Sequence, residues 1–255
     1  MNNTNLAIEI LSRTRNLVFN IKDKEILTGN FKIEPKHEED LKRFLIKSNY
    51  FSKIYFVRWL FWKRLEVVIK FLKDGGDSVL DFGTQMGLIL PSLSKIFKNV
   101  YGVDIDDTTF AINRELIKRL NIGNVKVFTN KKPLNQYFKK DSLNPIVALD
   151  VLEHIPKRYL FSYLKDFLSL LDKNGCLVVS LPKENSIYRF MQKLINHKPE
   201  EAMHFLNYKE LESSIKKYFY CEASKNLIFF KIIKFRPKER TRIMFKIREK
   251  SKNFH

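Results

Sequence analysis

Three groups of residues in this 255-residue chain have the types and spacing for chemistry on a bound ligand. The first is Ser78-Val-Leu-Asp81-Phe82-Gly83-Thr84-Gln85-Met86-Gly87, an apolar run that ends in an acid and continues through two glycines. Gly83 allows a tight turn and a close approach of backbone to ligand, while Gly87 allows the next segment to pack closely. The second is Asp104, at the end of Asn99-Val-Tyr-Gly-Val-Asp104. It follows the loop by roughly twenty residues, where a carboxylate can accept both hydroxyls of a ribose. The third is Asp150-Val151-Leu152-Glu153-His154, closing another apolar run. An imidazole titrates near neutral pH, so His154 is a candidate general base with Glu153 orienting it. A capping or stacking role for His154 fits the same position.

These residues need a scaffold that brings the ends of separate apolar runs together. Five short runs, 78–82, 99–103, 124–128, 145–149 and 175–181, alternate with helix-like stretches near 87–97, 108–121 and 157–172. Strands alternating with helices predict an α/β fold with a doubly wound, mainly parallel sheet. Ligands bind such sheets beyond the carboxyl ends of the strands. Upstream, Ile54, Val57, Phe61, Leu65, Val68 and Leu72 recur at steps of three and four, which predicts an amphipathic helix stopped by Gly75-Gly76. The expected organisation is a helical segment over 1–75 packing on the core, a ligand-binding domain over 76–235 and a basic tail over 236–255.

The motifs resemble those of the class I S-adenosylmethionine-dependent methyltransferases. The resemblance runs from Asp81-Phe-Gly83-Thr-Gln85-Met-Gly87 through Asp104 to PIVALDVLEHI (145–155) and LSLLDKNGCLVVSLP (168–182). It implies a seven-stranded Rossmann-like sheet with an insert after strand five, and S-adenosylmethionine as cofactor. Asp81, Phe82, Gly83, Thr84 and Gly87 would form the loop around its methionine part. Asp104 would hold the ribose, Ile105 would pack on the adenine, and Asp150 and Val151 would line the pocket near the sulfonium. Two positions depart from the family pattern: Gln85 stands for the middle glycine, and Asn130-Lys131-Lys132 offers no acid after strand three. Asp150-x-x-Glu153-His154 also looks like the ExxEH arrangement of ubiquinone-pathway O-methyltransferases, for which oxygen ligation would suit magnesium; no metal is expected here, since the first acid is Asp.

Composition narrows the setting without choosing the acceptor. A formal charge of +19 favours phosphate-bearing partners, either nucleic acid or an anionic membrane surface. Cys176 and Cys221 are far apart with no CxxC, and the first residues lack a signal-peptide pattern, so a cytoplasmic location is expected. A second stripe of Tyr55, Trp59 and Trp62 beside basic residues suggests contact with a membrane face, or packing on the domain. The stretch from Lys231 to His255 mixes ten Lys or Arg with large apolar residues and reads either as a similar contact or as a solvated final strand and helix. Tyr188, Arg189, Phe190 and His204 are candidates for an acceptor pocket. The expected acceptor is a small molecule, lipid-linked intermediate or glycan, modified at oxygen. The alternatives are an RNA methyltransferase, or a non-catalytic binding subunit to which Gln85 and Lys131 point.

Overall fold

All five apolar runs become parallel strands: β1 Gly76–Phe82, β2 Phe97–Asp104, β3 Val125–Thr129, β4 Ile146–Leu149 and β5 Leu177–Pro182. The structure is a computed structural model and describes residues 3–20, 48–129, 132–183 and 205–243. Two further strands, β6 Phe219–Asn226 and β7 Phe230–Pro237, add in antiparallel fashion. The sheet has seven strands in the order β3-β2-β1-β4-β5-β7-β6. Strand order reverses between β1 and β4, and a crevice opens beyond their carboxyl ends.

Alternation along β1 divides the core between two faces. Val79 points into one apolar layer with Val100, Val147, Val178 and Ile232. That layer is covered by α1 (Asn3–Asn20), α2 (Tyr55–Phe71) and the single turn α3 (Leu90–Leu93). Leu80 and Phe82 point into the other, beneath α5 (Lys157–Leu170) and α6 (Tyr208–Lys216). Between β2 and β3 runs α4 (Asp107–Arg119). A helix presenting Leu160, Leu164, Phe167 and Leu168 at steps of four, three and one buries one stripe, which is why α5 sits on the sheet.

Two expectations are corrected and a third is decided between its alternatives. The helix expected over 87–97 is the single turn α3: β2 already starts at Phe97, and Pro91 inside that turn has no amide to donate. The basic stretch from Lys231 starts as a core strand, with Ile232, Ile233 and Phe235 fully buried in β7. Its Lys231 pairs with Glu212, and Lys234 and Arg236 share Glu222, so each of these cations has a carboxylate partner within the molecule. Of the two readings of the Tyr55, Trp59 and Trp62 stripe, Trp62 takes the packing one: it is buried, and its indole N–H donates to the carbonyl of Tyr50 at 3.2 Å. Positions 21–47 of the helical segment expected over 1–75, the candidate acceptor residues Tyr188, Arg189, Phe190 and His204, and Lys131 lie outside the described residues.

Candidate functional site

The loop after β1 turns because three of its residues adopt left-handed backbone: Gly83 at φ 79°, Gln85 at φ 44° and Gly87 at φ 68°. The amides of Gly83 and Thr84 both donate to the carbonyl of Val103, at 2.8 and 3.1 Å, which pins the loop to the end of β2. No side chain fits at Gly83, because a Cβ there would come within 2.5 Å of a Val151 methyl. Gln85 departs from the glycine of the family pattern but keeps the conformation a glycine would supply, with its side chain exposed to solvent. Its amide donates to Asp104 Oδ2 at 2.6 Å, and the Asp106 amide donates to Asp104 Oδ1 at 3.0 Å. The Asp104 carboxylate is therefore fixed at the loop with acceptor capacity left on both oxygens.

A cavity of about 590 Å³ opens beside this loop, within the size range of ligand pockets. Phe82, Gly83, Asp104, Ile105, Val151 and His154 all line it. The remaining wall includes Lys132, Pro133 and Leu134 after β3, and Tyr159, Tyr163 and Asp166 from α5. Ile105 is 75% exposed at the mouth, where an apolar side chain can cover a flat ligand. Phe82 is held from below by Tyr163 and Phe167, with ring centroids at 5.2 and 5.1 Å. Burial holds Asp166 above the ordinary carboxylate range.

A smaller cavity of about 30 Å³ lies on the other side of Gly83, lined by Asp81, Thr84, Gln85, Tyr50 and Arg64. Asp81 is buried and accepts a hydrogen bond from Thr84 Oγ1 at 2.7 Å. Burial pushes its pKa up to about 7; the Thr84 bond opposes the rise, the Asp104 charge adds to it, and Arg64 again opposes it. Asp150, in left-handed backbone at φ 49°, turns away from the large cavity. It forms an ion pair with Arg64 and accepts from Ser180 Oγ at 2.8 Å. Glu153 is buried beside His154 in the chain, and its carbonyl accepts the amide of Phe205 at 2.9 Å; only His154 of the two reaches the large cavity. Among the described residues, no group of three His, Cys, Asp or Glu side chains has metal-holding geometry.

Arg64 and Tyr50 belong to this site but were not singled out by the sequence motifs. Arg64 is buried among the rings of Tyr50, Phe61 and Phe230, bonds the Tyr50 hydroxyl, and keeps a buried Nε with no hydrogen-bond partner. A signal was present: Arg64 lies on the apolar face of its helix, between Phe61 and Leu65, where a solvated cation has no place. Asp166, Tyr159 and Tyr163 carried no such signal, since their spacing on α5 suits a plain amphipathic helix.

The sequence pattern described as "Methyltransferase domain" matches residues 56–219. No curated protein matches the chain in sequence. Among solved structures, the PH0226 protein from Pyrococcus horikoshii OT3 superposes with a TM-score of 0.61 at 18% identity, covering 78% of this chain and 99% of that one. The N-methyltransferase NodS from Bradyrhizobium japonicum WM9, solved with S-adenosyl-L-homocysteine, gives 0.58 at 14% identity over 79% and 98%. Magnesium protoporphyrin IX methyltransferase from Synechocystis PCC 6803, also with bound SAH, gives 0.57 at 17% identity over 86% and 98%. At these identities the likeness is one of fold.

Proposed function

Because the chain belongs to the family of methyltransferase domains, we propose that it transfers a methyl group from S-adenosylmethionine to a small-molecule, lipid-linked or glycan acceptor, at oxygen. The observation that carries this reading is the large cavity, which has the Asp104 carboxylate and the Gly83 loop on one wall and His154 on another.

The residues fit the cofactor. Asp104 retains acceptor capacity for two ribose hydroxyls, and Ile105, Pro133 and Leu134 offer apolar surface to an adenine. Asn130-Lys131-Lys132 supplies no acid for the adenine amino group, and we assign that contact to Asp166 on the same cavity. S-inosylhomocysteine, which lacks the amine, should then bind roughly tenfold more weakly than S-adenosylhomocysteine, and Asp166→Ala should erase the difference. The small cavity pairs a cation, Arg64, with an acid, Asp81, which suits a zwitterionic amino-acid end. Its size admits about one water, so the Arg64–Asp150 pair has to give way when that end enters.

When bound, S-adenosylmethionine supplies an electrophilic methyl group and leaves as a neutral thioether. The protein's part is alignment and proton removal. Tyr159, Tyr163 and Val151 confine an acceptor within the cavity, Gly83 lets it approach the loop, and His154 takes the proton released from the acceptor hydroxyl. Gln85, in glycine-like backbone, keeps the loop in binding shape and counts against a non-catalytic role.

Thermal unfolding with S-adenosylmethionine, S-adenosylhomocysteine and NAD in parallel tests the reading. A ligand at a hundred times its Kd adds about 2.7 kcal/mol of stability. Stabilisation by the two adenosyl ligands alone is expected, and no shift with either would remove the proposal.

A further inference from the structure

The carboxyl end of the sheet carries a second feature that the cofactor site does not use. At the start of α2, Tyr55 is 69% exposed, Phe56 42% and Trp59 41%; beside them, the tip of the β6–β7 hairpin presents Ile228 at 40%. The two elements are joined. Phe56 packs edge-on against Phe229 with centroids 6.4 Å apart, and the Lys183 amide, just past β5, donates to the Phe229 carbonyl at 2.8 Å. The hairpin tip is fixed by Leu227 donating to Phe230, which pairs with Pro182 at the end of β5. The patch therefore lies at the same end of the sheet as Asp104 and Asp150.

Cations predominate on it: the nearest carboxylate, Glu66, lines a groove with Trp59 and is paired with Lys63 and Lys70. Neither segment that builds it, 48–65 or 223–238, contains an Asp or Glu. Lys53 and Lys225 are exposed beside the aromatics, Lys183 lies partly exposed next to the hairpin, and Arg58 rests over the Tyr55 ring at 5.6 Å. Large rings among cations, beside a carboxylate already paired with two lysines, complement an anionic headgroup layer. No described helix is long and apolar enough to cross a membrane.

We infer that this patch, formed by Tyr55, Phe56, Trp59 and Ile228 with Lys53, Arg58, Lys183 and Lys225, seats the protein on an anionic lipid bilayer with the catalytic cavity at that face. Lipid is favoured over RNA by the patch's apolar geometry. Ile228 is aliphatic and has no plane on which a base can stack, and Phe56 and Trp59 stack on each other at 6.0 Å with 21° between their planes. This deepens the proposed function by placing the acceptor at a membrane surface, and stands apart from it in the test.

The experiment is co-sedimentation of the full chain with vesicles of phosphatidylcholine alone and of phosphatidylcholine with phosphatidylglycerol. Stabilisation by S-adenosylhomocysteine is measured on the same samples. The wild type should sediment with the anionic vesicles only. Trp59→Glu combined with Ile228→Glu should weaken that partition by roughly tenfold or more while S-adenosylhomocysteine still raises the Tm. Lys53→Glu with Lys225→Glu, which touches no packed side chain, should also weaken it and make what remains less sensitive to salt. Equal sedimentation of both double variants with wild type overturns the inference. So does a wild type that ignores both vesicles, whether or not it binds single-stranded RNA. A lost ligand shift in the wild type strikes the proposed function instead.

Discussion

The loop after β1 and the cluster around Asp150 both place a carboxylate at the end of a central strand, yet they are built in opposite ways. The loop is held by backbone: amides of Gly83, Thr84 and Gln85 bond to the neighbouring strand end, and three left-handed residues shape the turn. The cluster is held by side chains from four distant places in the chain, Tyr50, Arg64, Asp150 and Ser180. A backbone-built site keeps its shape when side chains vary, as Gln85 shows. A side-chain network depends on every member, because a buried charge left alone is costly.

Four measurements bear on that contrast, in decreasing order of expected effect. Arg64→Ala leaves Asp150 at the end of the central strand β4 without its cation and empties a slot among three rings, so chemical denaturation should show a loss of about 3 kcal/mol or more. A loss under about 1 kcal/mol would erase the distinction between the two regions. His154→Ala should lower turnover by roughly a hundredfold while leaving the Tm and cofactor affinity unchanged, read from initial rates and calorimetry. Full activity would return His154 to a structural role. Asp104→Ala should weaken S-adenosylhomocysteine by about 2 kcal/mol with little change in stability, since the loop keeps its other backbone bonds. An equal Kd would detach the ribose from this acid.

The smallest effect concerns protons. Asp81 has a pKa of about 7 when buried without ligand, and a cationic ligand end favours its anionic form. Below pH 7 the proton has to leave before that interaction forms, so affinity for S-adenosylmethionine should rise by up to about tenfold between pH 6 and 8 and then level off. Asp81→Asn should flatten the profile. A wild-type affinity independent of pH would mean that Asp81 does not meet the charged end.

This contrast also explains what the sequence made legible. The central strands β4 and β5 show as short apolar runs because both their faces are buried, and the loop shows because its parts are contiguous. Gly83, Asp104 and His154 were readable from local spacing, and the structure brings them to one cavity. The Arg64–Asp150 pair spans positions far apart in sequence, so nothing local announces it. The burial of β7 was missed because Lys231, Lys234 and Arg236 interrupt its apolar residues, and only the fold reveals that Glu212 and Glu222 answer those charges. β6 exposes most of its residues at the sheet edge, which leaves it with little apolar pattern.

The strand order has a consequence for biogenesis. β7 lies between β5 and β6, so the flank of β5 stays unpaired during synthesis until some fifty residues beyond it have emerged. β5 is wholly buried in the finished protein, and in the nascent chain its edge is an apolar template for pairing with another molecule. A growing polypeptide arrested before Phe230 would carry its nucleotide-fold half complete and one sticky border open. Chaperone engagement during translation should concentrate in that interval.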